Sequence, residues 1–277
     1  MILNKIYLDN IIKTALLEDI NYCDVTTDYL IPDSQMGRAR FVSKAEGIVC
    51  GVGAAIRVFE LLDDIEYEIL KNDGDSVIKG DVILTLSGHT RALLKGERTA
   101  LNLIQHMSGI ATAANKYSEI IKGTRATIAD TRKTLPGLRP LQKYAVMTGG
   151  AKNHRYNLSD AAMLKDNHID AAGGITNAIT LLRKKLGHMT KIEVETRNLD
   201  ELREALAAGA DIIMLDNMSP EVMKEAVEIT AGRAVLEASG GITGDTLRAV
   251  AESGVDIISI GALTHSVTAF DISMYIE

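Results

Sequence analysis

Four segments of this chain set cations beside Asp, Asn and Gly: ERTALN (97–102), DTRKTLPGLR (130–139), NHR (153–155) and LKDNH (164–168). Arg98, Arg132, Lys133, His154, Arg155 and Lys165 would repel one another if gathered without a counter-charge, so convergence implies an anionic ligand. Each charge-assisted hydrogen bond to a carboxylate or phosphate contributes about 1.5–3 kcal/mol. Four or five such bonds could hold a dicarboxylate and a phosphorylated sugar. The chain as a whole is acidic, with a formal net charge of −7. A cationic cluster in an acidic chain fits a pocket for a small polyanion and argues against nucleic acid, which calls for a basic face.

Carboxylates and glycines complete the candidate site. Glu195 and Asp216 each close an apolar run. Carboxylates at strand ends beside cations point to Mg²⁺, sugar hydroxyls or a developing positive charge. Glu193 shares the face of Glu195 by strand alternation and is a weaker candidate. Ser239-Gly240-Gly241 lies between a strand and a helix, and Gly261 follows the next strand. Glycines let backbone N–H groups approach an anion, and a helix N-terminus adds partial positive charge, so these loops read as a phosphate cradle. Arg139 and Lys143, on a helical stretch after Pro136, read as a solvated helix face, as do Asp63 and Asp64 at a helix end. Gly149-Gly150 and Gly173-Gly174 read as turn or helix-end glycines. No serine or cysteine is set up as a covalent nucleophile.

The elements that must position these residues differ between the two halves. Residues 36–95 read as strands and turns, with a helix around 53–62 and a short strand at 76–78. Residues 90–122 run helical. From about 125, aliphatic runs at 126–130, 161–165, 191–195, 211–215, 234–238 and 256–260 alternate with amphipathic helices at 199–209, 219–232 and 244–254. Ser219 caps the second of these helices with Pro220 in its first turn, and Gly209 and Gly254 end their helices. EALAAGADIIMLDNM (204–218) echoes RAVAESGVDIISIGAL (248–263), a repeated helix-to-strand unit that points to a (β/α) barrel. A doubly wound sheet is the alternative, since periodicity does not decide closure. Ligands bind such barrels at the carboxyl ends of the strands. Six strands in succession deliver polar or glycine residues there: 130–133, 165–168, 195–196, 216–217, 237–241 and 261–262.

The bulk numbers fit. A chain of 277 residues with 46% hydrophobic content can bury a full core, and its 4% aromatic content suits aliphatic strands under Ala-rich helices. Cys23 and Cys50 form no framework and read as small buried hydrophobes in a reducing cytoplasm. The N-terminal stretch breaks its apolar positions with charge, so it reads as an amphipathic helix, and no membrane segment is expected.

These blocks, together with EDINYCDVTTDYL (18–30), IEVE, IMLDN, LEASGGI and ISIGALTHS (258–266), resemble one family over nearly the whole chain. It is quinolinate phosphoribosyltransferase, the carboxylating nicotinate-nucleotide pyrophosphorylase. The resemblance implies an N-terminal α/β (α+β) domain over residues 1–110, then an open, irregular (β/α) barrel over 111–277 whose C-terminal tail packs back on the first domain. It implies that quinolinate and phosphoribosyl pyrophosphate give nicotinate mononucleotide, pyrophosphate and CO₂ with Mg²⁺, in NAD synthesis. It further implies a homodimer with shared sites, or a higher assembly. Carried over by motif, Arg132, His154, Arg155 and Lys165 hold the quinolinate carboxylates, Arg98 reaches in from the partner subunit, and Lys133 contacts the phosphoribosyl side. Glu195 and Asp216 hold ribose hydroxyls and Mg-pyrophosphate, and Ser239, Gly240 and Gly261 cradle the 5′-phosphate. Lys133, Lys165, Glu195 and Asp216 form the expected catalytic set.

The chain lacks the acidic pair with a Thr-Gly loop that other phosphoribosyltransferases use, as expected of a separate fold. A paralogous group linked to molybdenum transport shares the ERTALN-like and DTRKT-like blocks, but the intact NHR and LKDNH favour the quinolinate enzyme. Two other readings remain open on the residues alone. One is a Schiff-base aldolase with Lys165 as nucleophile. The other is a pyridine-nucleotide or oxyanion sensor without turnover.

Overall fold

The structure is a computed structural model that describes residues 3–277. In chain order it begins with α1 (Lys5–Asp19), α2 (Val25–Leu30), β1 (Met36–Ser43), β2 (Gly47–Ile48), α3 (Val52–Glu60), β3 (Ile65–Ile69), β4 (Ser76–Val77), β5 (Val82–His89) and the long α4 (Thr90–Ile120). Next come β6 (Thr127–Ala129), α5 (Arg139–Thr148), β7 (Ala162–Leu164), α6 (Asp166–Ala172), α7 (Ile175–Arg183), β8 (Ile192–Thr196) and α8 (Leu199–Ala207). Then follow β9 (Ile212–Asp216), α9 (Pro220–Thr230), β10 (Val235–Ser239), α10 (Gly244–Glu252), β11 (Ile257–Ser259), α11 (Ala262–His265) and β12 (Ile272–Ile276). The chain divides into two compact units: one takes the residues up to Asn115, 134–150 and 262–277, the other 116–133 and 151–261.

The first unit is built on an antiparallel sheet of order β12-β1-β5-β3. Alternation in β1 and β5 buries Ala39, Phe41, Leu84 and Leu86, and Phe41 meets Phe59 of α3 edge-on, centroids 6.2 Å apart. In α1 the buried residues Leu8, Ile12 and Leu16 recur every four positions, one helix stripe, and the Asn4 side chain accepts the Ile6 N–H at its start. Gly51 opens α3 at φ 99°, where a Cβ would lie 2.8 Å from Met107 Sδ, so both backbone angle and space call for glycine. The C-terminal strand β12 pairs antiparallel with β1, Phe41 opposite Met274.

Two sequence expectations fail in this unit. Lys143 is fully buried, not on a solvated face. α5 buries Leu141, Gln142, Lys143, Ala145 and Val146, an arc wide enough to take in a cation. The neighbouring Gln142 accepts the Leu135 N–H at 2.8 Å and donates to the Thr264 carbonyl at 3.0 Å. Cys23 is only half-buried, whereas Cys50 is buried and desolvation pushes its thiol well above the usual range. Asp63 is half-exposed and sits 2.8 Å from His89 Nδ1.

The second unit carries a parallel sheet of order β6-β11-β10-β9-β8-β7. Successive strands alternate with helices, and the end strands β6 and β7 do not pair with each other, so the barrel is open. A single bridge, Ala129 to Lys152, extends the β6 edge. Ser219 caps α9 through the Val222 N–H with Pro220 as its first residue, and Gly209 and Gly254 end α8 and α10 at φ 82° and 94°. Among the described residues, no helix is long and apolar enough to cross a membrane.

Candidate functional site

Strand alternation decides which side chains of the second unit share a face. Met163 of β7 pairs with Glu193 of β8, Glu195 with Met214 of β9, Met214 with Glu237 of β10, and Asp216 with Ser239. Residues two apart point the same way, so Glu193/Glu195, Met214/Asp216 and Glu237/Ser239 form rows on one face. Val194, Ile213 and Leu215 take the opposite face and are buried. The rows end at the carboxyl edge of the sheet, where parallel β/α architecture places ligands.

A cavity of about 240 Å³ opens there. Met163, Met214 and Ser259 contribute to it, and Arg132, Lys133, Arg155 and Lys165 bring four cations to it. Arg132 and Lys133 follow β6, His154 and Arg155 lie in the segment before β7, and Lys165 directly follows β7. The Arg155 guanidinium donates to the Ala161 carbonyl at 3.1 Å and to Met163 Sδ at 3.4 Å. Burial and the nearby Arg132 lower its proton affinity from the ordinary arginine value. Lys165 Nζ lies 2.6 Å from Glu195 Oε2, and its backbone N–H donates to His168 Nδ1 at 3.1 Å as α6 begins.

The cavity wall also holds a buried acidic group. His154 Nε2 lies 3.1 Å from Glu193 and 3.5 Å from Glu237, whose side chains are 3% and 2% exposed. His154 Nδ1 accepts the Arg155 N–H at 2.8 Å, so the ring hydrogen sits on Nε2, facing the carboxylates. Buried Asp130 accepts the His154 N–H at 2.8 Å and fixes the segment. Burial first, then Glu193, push the Glu237 carboxyl up to about 7.

Asp216 closes β9, and Asn217 follows it in the left-handed region at φ 55°. The Asn217 amide donates to Asp216 Oδ2 at 2.9 Å, and its N–H donates to the Ser239 carbonyl at 3.0 Å. Gly240 and Gly241 take φ 92° and 58°, and a Cβ at Gly240 would stand 2.3 Å from Asn217 Oδ1. Gly240 is therefore required both by its angle and by Asn217. Gly261 follows β11 by two residues.

Of the residues singled out in the sequence, Arg132, Lys133, His154, Arg155 and Lys165 meet in one cavity. Glu195 joins through Lys165. Asp216, Ser239 and Gly240 adjoin one another at the ends of β9 and β10, while Arg98 is exposed on α4 in the first unit. Sequence reasoning gave Glu237 no role of its own and missed Met163, Met214 and Ser259. Alternation back from Ser239 would have found Glu237.

A parallel β/α unit that gathers cations and glycine loops at its strand ends defines a binder of small polyanions. Residues 24–108 match the N-terminal domain of Quinolinate phosphoribosyl transferase and residues 110–275 match its C-terminal domain. The chain belongs to the quinolinate phosphoribosyl transferase family. It is 46% identical to the probable nicotinate-nucleotide pyrophosphorylase (carboxylating) of Bacillus subtilis (strain 168), over 98% of this chain and 94% of that protein. Among solved structures, NadC from Streptococcus pyogenes superposes with a TM-score of 0.97 at 40% identity, covering 100% of this chain and 99% of that one. The nicotinate-nucleotide pyrophosphorylase from Francisella tularensis gives 0.96 at 41% identity, covering 100% and 98%.

Proposed function

We propose that this chain transfers the phosphoribosyl group of phosphoribosyl pyrophosphate to quinolinate and removes one carboxylate. The products are nicotinate mononucleotide, pyrophosphate and CO₂, in NAD biosynthesis. Membership of the family supports the reaction. The observation that carries it to residues is the single cavity lined by Arg132, Lys133, Arg155 and Lys165 at the strand ends.

Arg132, Arg155 and Lys165 pair with the two carboxylates of the pyridine ring, with His154 in the wall beside them. Lys133, exposed at the edge, serves the phosphoribosyl side. Ser239, Gly240 and Gly261 receive the 5′-phosphate, their backbone N–H groups acting as donors. Holding the ring nitrogen against the sugar carbon makes a bimolecular step intramolecular. As pyrophosphate departs, the sugar carbon becomes positive, and the Glu195 and Asp216 carboxylates stabilise it while binding the ribose hydroxyls.

Glu195 and Asp216 end adjacent strands and offer hard oxygen donors, one held by Lys165 and the other by Asn217, a donor set that suits Mg²⁺. When bound, the metal neutralises charge on the pyrophosphate. Arg98 is exposed on α4, which leaves its guanidinium accessible to a partner's site within a homodimer. The two free cysteines fit a cytoplasmic setting.

The test is to incubate the protein with quinolinate, phosphoribosyl pyrophosphate and Mg²⁺ and assay nicotinate mononucleotide. Turnover with nicotinate in place of quinolinate, or none with quinolinate, would refute the reading. The Schiff-base alternative is disfavoured because Lys165 is ion-paired with Glu195 in a cationic cavity. Binding of quinolinate without pyrophosphate release would favour a sensor.

A further inference from the structure

A cavity suited to an anion has carboxylates in its wall, and that contradiction calls for an explanation. Glu237 lines the cavity and is 1% exposed. The groups facing it are Glu193 from β8, His154 from the segment before β7, Ser259 from β11, and Asp130 following β6. Arg155, whose backbone orients the His154 ring, is the nearest of the cavity cations in sequence. Two ionised carboxylates at this depth would oppose entry of a dicarboxylate. The His154 ring presents its Nε2–H to both carboxylates while its Nδ1 accepts a backbone N–H, and a single imidazole cannot offset two negative charges. Neutralising the wall therefore requires a proton on a carboxyl. Glu237, desolvated and facing Glu193, is the group that retains it.

The reaction proposed above needs one proton at this place. Loss of CO₂ breaks the bond between the ring carbon beside nitrogen and its carboxylate, and leaves the electron pair on that carbon. A proton must take the position that CO₂ vacates. The cavity cations are weak acids as well as anion anchors, which leaves a neutral carboxyl as the fitted donor.

We propose that Glu237 is that donor, its carboxyl proton passing to the ring carbon as CO₂ leaves. The Glu237 carboxylate so formed faces the His154 Nε2–H, 3.5 Å away, and the neighbouring Ser259 hydroxyl, and water reprotonates it once product departs. Atoms and charge balance: one C–C bond breaks, one C–H bond forms, and the O–H bond of Glu237 is broken and later restored. This assignment rests on the quinolinate reading and deepens it.

Glu237→Gln keeps the shape and removes the acid. In single turnovers with quinolinate, phosphoribosyl pyrophosphate and Mg²⁺, the variant should release pyrophosphate at nearly the wild-type rate. CO₂ release should slow by roughly a hundredfold, and acid quenching should recover the still dicarboxylated nucleotide. Glu237→Asp should restore part of the CO₂ step, with a loss of rate as pH rises. Unchanged CO₂ release in Glu237→Gln overturns the proposal, and so does equal slowing of pyrophosphate and CO₂, which would mark a binding role. Failure of the wild type to form nicotinate mononucleotide is a different result and refutes the parent reading instead. Should Glu237→Gln fail to fold by circular dichroism, the wild type decides. An infrared titration must show a carboxylic acid ionising near about pH 7, with the decarboxylation rate falling alongside it. Absence of either overturns the assignment.

Discussion

Lys165 Nζ and Glu195 Oε2 stand 2.6 Å apart at the ends of neighbouring strands, so a cation assigned to one substrate touches a carboxylate assigned to the other. The Lys165 side chain is 48% exposed, and an ion pair so open to water contributes little to stability. Its value lies in binding. Lys165→Ala should weaken quinolinate binding by about 1.5–3 kcal/mol and leave the melting temperature nearly unchanged. Isothermal titration and thermal melts check both halves, and near-normal affinity would remove Lys165 from the carboxylate site.

Gly240→Ala tests the phosphate loop. The new Cβ would press on Asn217 Oδ1 and sit at φ 92°, so the loop must shift. Strain of this kind costs about 1–3 kcal/mol. The expected pattern is a raised KM for phosphoribosyl pyrophosphate with quinolinate affinity preserved. Steady-state kinetics with each substrate varied in turn would show it, and an unchanged donor KM would place the phosphate elsewhere.

The Glu237 carboxyl gives stability a pH signature. Its affinity for protons is raised in the folded state, to about 7 from an ordinary 4.5. Between those values the folded chain holds more protons than the unfolded one, so stability falls as pH rises through the window. Denaturant unfolding followed from about pH 4.5 to about pH 7 should show the decline in wild type and a flatter curve in Glu237→Gln. A curve identical in both would mean that Glu237 ionises normally.

The proposed sharing of each site across a homodimer makes a separate forecast. Mixed dimers combining Arg98→Ala in one subunit with Lys165→Ala in the other concentrate both lesions in one site and spare the second. Activity recovered above either parent homodimer is the expected result, measured after subunit exchange. No recovery would place Arg98 and Lys165 in the same subunit's site, or Arg98 in none.

Much of this architecture was legible in the sequence because the second unit obeys local rules. Each aliphatic run became a strand within a residue or so of its expected bounds, and Ser219, Gly209 and Gly254 punctuate the helices as their chemistry dictates. The cations were legible by type: Arg132 and Lys165 follow strands β6 and β7, while Arg155 stood out only as part of the NHR block in the segment before β7. Lys143 was not, because a charged residue on an amphipathic helix is usually solvated and only tertiary packing covers α5. Glu237 escaped for a related reason. A lone acid inside LEAS reads as noise until His154, 83 positions earlier, is seen at 3.5 Å.

The pairing of β1 with β12 has a consequence for biosynthesis. Ala39 faces Ile276, so the outer flank of β1 waits until the whole β/α segment has emerged. Contacts of such long sequence separation form late, and an unsatisfied strand flank is a template for intermolecular association. Nascent chains should therefore depend on chaperone shielding while residues 116–261 are synthesised. Tags or deletions that disturb 272–276 should show first as insoluble product, before any catalytic defect is measurable.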